Sequence, residues 1–345
     1  MDWSVAQLVP ASIFDVVDRT VTIRPALDLY NDCDHRLACS ATVARKDHPD
    51  AAPEQQTAMT LLWAAMSVGA TYGLVALAFN VVLSNSGVFN FALPQFVMLG
   101  SFLGYQLLSV AEVPVLLAIA VCAVAGALLG LVEEYVAIRP LGAASGHAAL
   151  ITTVGAAVVL QGAAMVIWGT TPRSVSFPGS TKAVDLLGGR VGVLDLVLIG
   201  LCIGMALAFH WASRRTRLGL YGRVATSDEE AARLRGVNVR LVRTVSLMVA
   251  GTFGCLIGPL VGSQSNANVD MGNTLVVLAF VALALGGFGS YIGSMLAGFV
   301  IGGVQISVTR YWGSEAALPV LYALLLVLLL VKPTGLFGDK RLRMI

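Results

Sequence analysis

Read as apolar and polar positions, the chain falls into nine apolar runs, at about 59–83, 88–108, 113–132, 148–168, 193–211, 244–265, 274–288, 291–309 and 316–331. A helix rises about 1.5 Å per residue, so roughly 20 apolar residues cross a hydrocarbon core of about 30 Å. Backbone polar groups in hydrocarbon must be satisfied within the segment, which predicts helices. The two-residue alternation of a membrane β-barrel is absent. The pattern predicts an all-α polytopic membrane protein with about eight to nine transmembrane or re-entrant helices. The runs at 274–288 and 291–309 are separated only by Gly289 and Ser290. They form either a tight helical hairpin or a broken, partly re-entrant pair.

Composition narrows the class. Of the 345 residues, 57% are apolar and 12% charged, about half the charged share of a soluble domain. That is too little charge to cover a soluble surface. An ordinary cytosolic enzyme, a disordered chain and a nucleic-acid binder are excluded. The charges are also unevenly placed: residues 1–58 hold nine Asp/Glu and five Lys/Arg, the remainder eleven and seventeen. Residues 1–58 are polar and mixed, without the apolar core of a signal peptide. Met59-Thr60-Leu61-Leu62-Trp63 resembles a start, so 1–58 reads either as an extension outside the fold or as a small accessory segment. Cys33 and Cys39 could pair there if the segment faces an oxidising space. Cys122, Cys202 and Cys255 lie in apolar runs and read as packing residues.

Basic residues orient the spans. Arg214, Arg215, Arg217, Arg223, Arg233, Arg235, Arg240 and Arg243 cluster between two runs, which makes 212–243 a cytoplasmic loop. Counting outward from it, the basic tail 339–345 and the loop 133–147 are cytoplasmic, and 169–192 is external. Nine true crossings put the N-terminus outside; one re-entrant run moves it inside. Glycines four apart, above all Gly254, Gly258 and Gly262 around Pro259, predict close helix packing and a kink.

Familiar chemistry is missing. No lysine is followed by Ser or Thr, so there is no phosphate-cradling P-loop, and the four histidines fit no zinc spacing. Glu133, Glu134, Asp195, Asp270 and Glu315 all fall near span ends. A carrier driven by protons or sodium usually needs a charge deep in the membrane, so that class is disfavoured. The spans carry neutral polar residues instead. Asn90, Gln95, Thr152 and Gln161 are the candidates for a weak path for a small polar solute, although such residues also serve as glue between helices.

The cytoplasmic loop holds the clearest local signal. Ser227 and Glu230 have the spacing of a capping box, Asp228 and Glu229 suit the first turn, and Gly236 suits a left-handed C-cap. The spacing predicts a short helix at about 228–235 in which Ala231 and Leu234 form an apolar ridge. A helix that short needs support from the membrane helices.

Glu230-Ala231-Ala232 followed by Gly236 resembles the motif by which permeases of ATP-binding cassette importers dock in their ATPase. Other landmarks recur in order: Gly73-Leu74-Val75-Ala76-Leu77, Gly87-Val88-Phe89-Asn90-Phe91-Ala92, Ile138-Arg139-Pro140-Leu141, Leu150-Ile151-Thr152-Thr153, Gly286-Gly287-Phe288-Gly289-Ser290 and Lys332-Pro333-Thr334-Gly335. Together they resemble permease subunits of the branched-chain amino-acid ABC transporter family over about 61–338. The resemblance implies a bacterial inner-membrane permease domain, 59–338. It further implies two ATPase subunits that bind the ATP, a second related permease and a periplasmic substrate-binding protein, with branched-chain amino acids, short amides or urea as cargo. Ser227, Glu230, Ala231, Leu234 and Gly236 would then make the ATPase coupling helix. Where the family often has His-Gly-Glu after Asn-Phe-Ala, this chain has Leu93-Pro94-Gln95. Two other readings stay open: a sugar-type ABC permease with the same engine, and a passive channel for a small neutral solute.

Overall fold

The computed structural model describes residues 54–141, 146–179, 182–186, 189–227, 229–332 and 335. The 33-residue α1 (Glu54–Ser86) leads into α2 (Leu93–Gly104), which continues as a π-helical turn to Val110. Next come α3 (Val115–Glu133), prolonged by a π-helical turn to Ile138, and α4 (Gly146–Trp168). A small hairpin, β1 (Ala183–Leu186) and β2 (Gly189–Gly192), precedes α5 (Val193–Arg215). Two short helices follow, α6 (Arg217–Ser227) and α7 (Glu229–Leu234). The chain then runs through α8 (Val239–Ser265), α9 (Met271–Gly286), α10 (Tyr291–Trp312) and α11 (Ser314–Val331). Seven of these helices are long and apolar enough to span a membrane, and two shorter apolar helices, α9 and α11, complete the set. The pairing of Cys33 with Cys39 and the tail 339–345 lie outside the described residues.

Glycine decides how the spans meet. Helix α8 lies between α2 and α3 and presents glycine to both. On one side, a Cβ at Gly258 would sit 2.5 Å from the Gly100 carbonyl carbon, and one at Gly254 3.0 Å from Phe96 Cβ. On the other side, a Cβ at Gly126 would come 2.8 Å from the Gly251 carbonyl carbon. Backbones this close gain dispersion contacts that larger side chains would forbid, which is how helices associate where lipid removes the hydrophobic drive. Pro259 has no N–H, so the Cys255 carbonyl lacks its helical donor. Gly100 packs directly against that residue, and Ser101 Oγ donates to the neighbouring Gly258 carbonyl at 2.6 Å. A second ladder, Gly69 and Gly73 against Gly298 and Gly302, joins α1 to α10.

Inner and outer denote the helix ends nearer to and farther from the arginine-bearing α6–α7 segment, the side on which the basic-residue rule expects the cytoplasm. Aromatic residues suit this placement, with Tyr311 and Trp312 exposed at the outer end of α10 and Tyr135 and Trp211 exposed near inner ends. Between α9 and α10 the chain turns tightly over residues 287–290, and α9, at 16 residues, is shorter than the seven helices long enough to span. Asn80 of α1 clamps that turn: its Nδ2 donates to the Ser290 carbonyl at 3.1 Å and Ser294 Oγ at 2.6 Å, and its Oδ1 accepts from Gly289 N at 2.7 Å.

The run at 88–108 is not one continuous helix. After Ser86 the backbone is non-helical to Asn90, and α2 begins only at Leu93, with Pro94 in its first turn. Contacts place this start opposite Gly254, about 16 Å along α8 from its outer end at Ser265. The segment 87–92 thus carries the chain from the inner end of α1 to the level of Gly254, well inside the length of α8, before helix resumes. Hydropathy misses the break because Val88, Phe89, Phe91 and Ala92 are themselves apolar.

Candidate functional site

Four polar side chains, from α2, α4 and the start of α9, meet toward the outer end of the helical domain. Gln95 Nε2 in α2 donates to Asn273 Oδ1 at the start of α9 at 2.9 Å. Asn273 Nδ2 donates to Gln161 Oε1 of α4 at 3.1 Å, and Gln161 Nε2 donates to Asp270 Oδ1 at 3.1 Å. Gln95 is fully buried, and its Oε1 has no hydrogen-bond partner among the described residues. Gly272 is what admits it, since a Cβ there would lie 2.5 Å from the Gln95 amide carbon. At the other end, Asp270 and Asn273 are exposed and Gln161 is half-buried. The network therefore runs from a closed interior to an open face, offering amide groups and one carboxylate.

Of the four residues read as path candidates, Gln95 and Gln161 share this network, bridged by Asn273. Asn90 and Thr152 stand apart from it. Asn90 Nδ2 donates to Glu133 Oε2 at 2.7 Å and its Oδ1 accepts from Ala92 N at 2.8 Å, so it shapes the turn before α2 and ties it to α3. Thr152 Oγ1 donates to the Ala148 and Ala149 carbonyls of its own helix, both at 3.1 Å. Sequence reasoning missed Asn273 because it borders the run that begins at 274, and it filed Asp270 as a span-end acid. It did the same with Glu133, which is buried because the helix continues past it to Ile138. A separate outer cluster joins three helices: Ser67 Oγ donates to Asp195 Oδ1 at 2.7 Å, Gln264 Nε2 donates to the same carboxylate, and Gly192 N donates to its Oδ2 at 3.0 Å.

Beyond the inner end of the spans, α7 covers Glu229–Leu234. Gly236 ends it at φ +81°, with Gly236 N donating to Arg233 O at 3.0 Å and Val237 N donating to Ala232 O at 3.0 Å, the paired bonds of a Schellman cap. Ala232 is buried, Ala231 half-buried, and Glu230 exposed. Leu234 is 89% exposed, a large apolar side chain offered to water on a charged helix. The Ser227 side chain and Asp228, expected to cap this helix, lie outside the described side chains and residues. The preceding α6 was not anticipated. It seats against the inner end of α1, where a Cβ on Gly222 would lie 2.8 Å from Asn85 Cγ, and Thr226 Cγ2 approaches Gly87. Arg223 Nη2 donates to the Ser213 carbonyl at 2.9 Å, fixing α6 to the end of α5.

A helical membrane domain with a network of amides ending in one carboxylate, and an exposed capped helix beyond the spans, is the architecture of a transporter subunit. The profile described as "Branched-chain amino acid transport system / permease component" matches residues 61–331. The chain belongs to that family. It is 25% identical over 286 residues to the high-affinity branched-chain amino acid transport system permease protein BraD of Pseudomonas aeruginosa, covering 79% of this chain and 93% of the relative. It is 26% identical over 288 residues to LivH of Escherichia coli, with the same coverage. Similarity extends to the ribose import permease protein RbsC of Escherichia coli, 29% over 220 residues, 58% of this chain and 65% of the relative. No solved structure gives a significant match.

Proposed function

We propose that this chain is one permease subunit of an ATP-driven importer in a bacterial inner membrane, carrying branched-chain amino acids or a related small polar solute such as an amide or urea. The observation that carries the reading is the exposed network of Gln161, Asn273 and Asp270, backed by buried Gln95. Side chains of this kind are costly against lipid, so the face they occupy fits a water-filled path shared with a second subunit. The rest of α4 is apolar and open, which suits lipid and a second, related permease. The chain has no motif for binding ATP, so the energy enters from outside it. Helix α7, with Glu230, Ala231 and exposed Leu234 held by the Gly236 cap, is the contact for one of two ATPase subunits. A periplasmic binding protein would deliver solute to the outer face near Asp270. The similarity to BraD and LivH favours branched-chain cargo over sugar.

The test is reconstitution of the chain with its second permease, both ATPases and the binding protein, followed by uptake of labelled leucine. Uptake should require ATP. The Gln161→Ala/Asn273→Ala variant should cut uptake at least about tenfold with the complex intact, since a site's lost polar partners commonly cost that much. Glu230→Arg/Leu234→Asp should abolish uptake and release the ATPases while the chain stays folded in the membrane. Full flux through the chain alone, independent of nucleotide, would refute the importer reading.

A further inference from the structure

Below the polar network, on its cytoplasmic side, lies a collar of phenylalanines. Phe89 packs edge-on against Phe280 and Phe288, with ring centroids 6.1 and 5.5 Å apart, and Phe91 lies 6.0 Å from Phe280. All four rings are half-buried: Phe89, Phe280 and Phe288 rest on the buried core and Phe91 meets buried Phe79 at 6.4 Å, while each keeps part of its surface uncovered. Phe280 follows Asn273 by two helical turns, which puts it on the same face of α9 about 10 Å nearer the cytoplasm. Phe89 and Phe91 sit on the non-helical segment that climbs to α2. Irregular backbone at membrane depth is tolerated only where protein buries it or a cavity borders it. Polar groups above and rings below thus occupy one continuous face.

We propose that Phe89, Phe91, Phe280 and Phe288 form the cytoplasmic gate of the translocation path, and that α6 operates it. The proposal rests on the importer reading above. An apolar constriction blocks small polar solutes by excluding water, with no charge needed. Both ring-bearing segments are anchored to the inner end of α1. Gly87, two residues before Phe89, meets Thr226 of α6, and Gly222 of α6 is seated on Asn85. On the other segment, Asn80 holds Gly289 and Ser290 directly beside Phe288. A force on α7 passes into α6, from α6 into the end of α1, and from there into both halves of the collar. The rings can part by rotation about χ1 once these segments shift, while the polar network above stays in place.

The complete transporter, in liposomes loaded with labelled leucine and urea, tests this through efflux without nucleotide. Phe91→Ala/Phe280→Ala should raise efflux of both solutes at least about tenfold. Phe253→Ala, which removes one ring of the Phe209–Phe253 pair between α5 and α8, should stay at background. An assembled Phe91→Ala/Phe280→Ala complex that remains tight would overturn the gate. A second measurement leaves the collar untouched: Asn273→Cys should react with a membrane-impermeant thiol reagent from the extracytoplasmic side and be shielded from the cytoplasmic side without nucleotide. Equal labelling from both sides, with and without nucleotide, would also overturn it. Absence of ATP-driven leucine uptake by the wild-type complex would count against the importer reading instead, because leak and labelling report the collar independently of cargo.

Discussion

Among the described residues, Arg243 and Glu134 form an ion pair notable for its burial, and its removal gives a measurable test of the packing. Arg243 Nη2 lies 3.2 Å from Glu134 Oε1, and the two side chains retain 16% and 3% of their accessible surface. The pair joins the start of α8 to the end of α3, at the inner edge of the glycine contact that brings these helices together. At an effective dielectric of about 20 the gross attraction is about 5 kcal/mol, most of it offset by the cost of taking both charges out of water. Arg243→Met removes the attraction but leaves the Glu134 carboxylate buried, and breaking such a pair from one side costs about 3–5 kcal/mol. Glu134→Gln/Arg243→Met removes the stranded charge as well and should recover most of that loss. Reversible unfolding by SDS in mixed micelles would give the free energies of the wild type, both single variants and the double variant. A coupling of about 2 kcal/mol or more is expected. A double variant as unstable as the sum of the two singles would refute the claim that the carboxylate is shielded from water.

Two further outcomes follow from local geometry. Gly258→Ala forces α8 and α2 apart, because the new methyl would stand 2.5 Å from Gly100 and Ser101 backbone atoms; a loss of about 1–3 kcal/mol is expected, whereas Gly200→Ala, with nothing within 4 Å, should leave unfolding unchanged. Gly236→Ala places a side chain at φ +81° and should cost about 1–2 kcal/mol locally; leucine uptake and ATPase co-purification should fall while the midpoint of global unfolding holds.

Most of the fold was legible because each apolar run in lipid must close its own hydrogen bonds, leaving helix as the answer. The glycine stripe of α8 could be named from spacing alone, whereas the Gly289-Ser290 spacing left a hairpin and a broken pair both open. The late start of α2 was not legible, although two signals marked it. Pro94 is favoured in a first helical turn, and Asn90 is a residue whose side chain caps its own turn, as it does here through Ala92 N. Both lie within a stretch whose hydropathy says only that it belongs in the membrane. Hydropathy measures where a segment can reside and is blind to whether its backbone is helical.

The site divides in the same way. Gln95 and Gln161 stand out because an amide is uncommon in an apolar run, but the sequence cannot say that Asn273 bridges them across separations of 178 and 112 residues. Asn90 looks equivalent in sequence and has a different role, because Glu133 lies within reach of it. What separates the two cases is burial without a partner. Asn90 has both ends satisfied within the protein, whereas Gln95 keeps a buried carbonyl oxygen with no donor. A buried acceptor left open costs about 1–3 kcal/mol, so Gln95 is held at the closed end of the network by packing, with Gly272 making the room, as much as by its bond to Asn273.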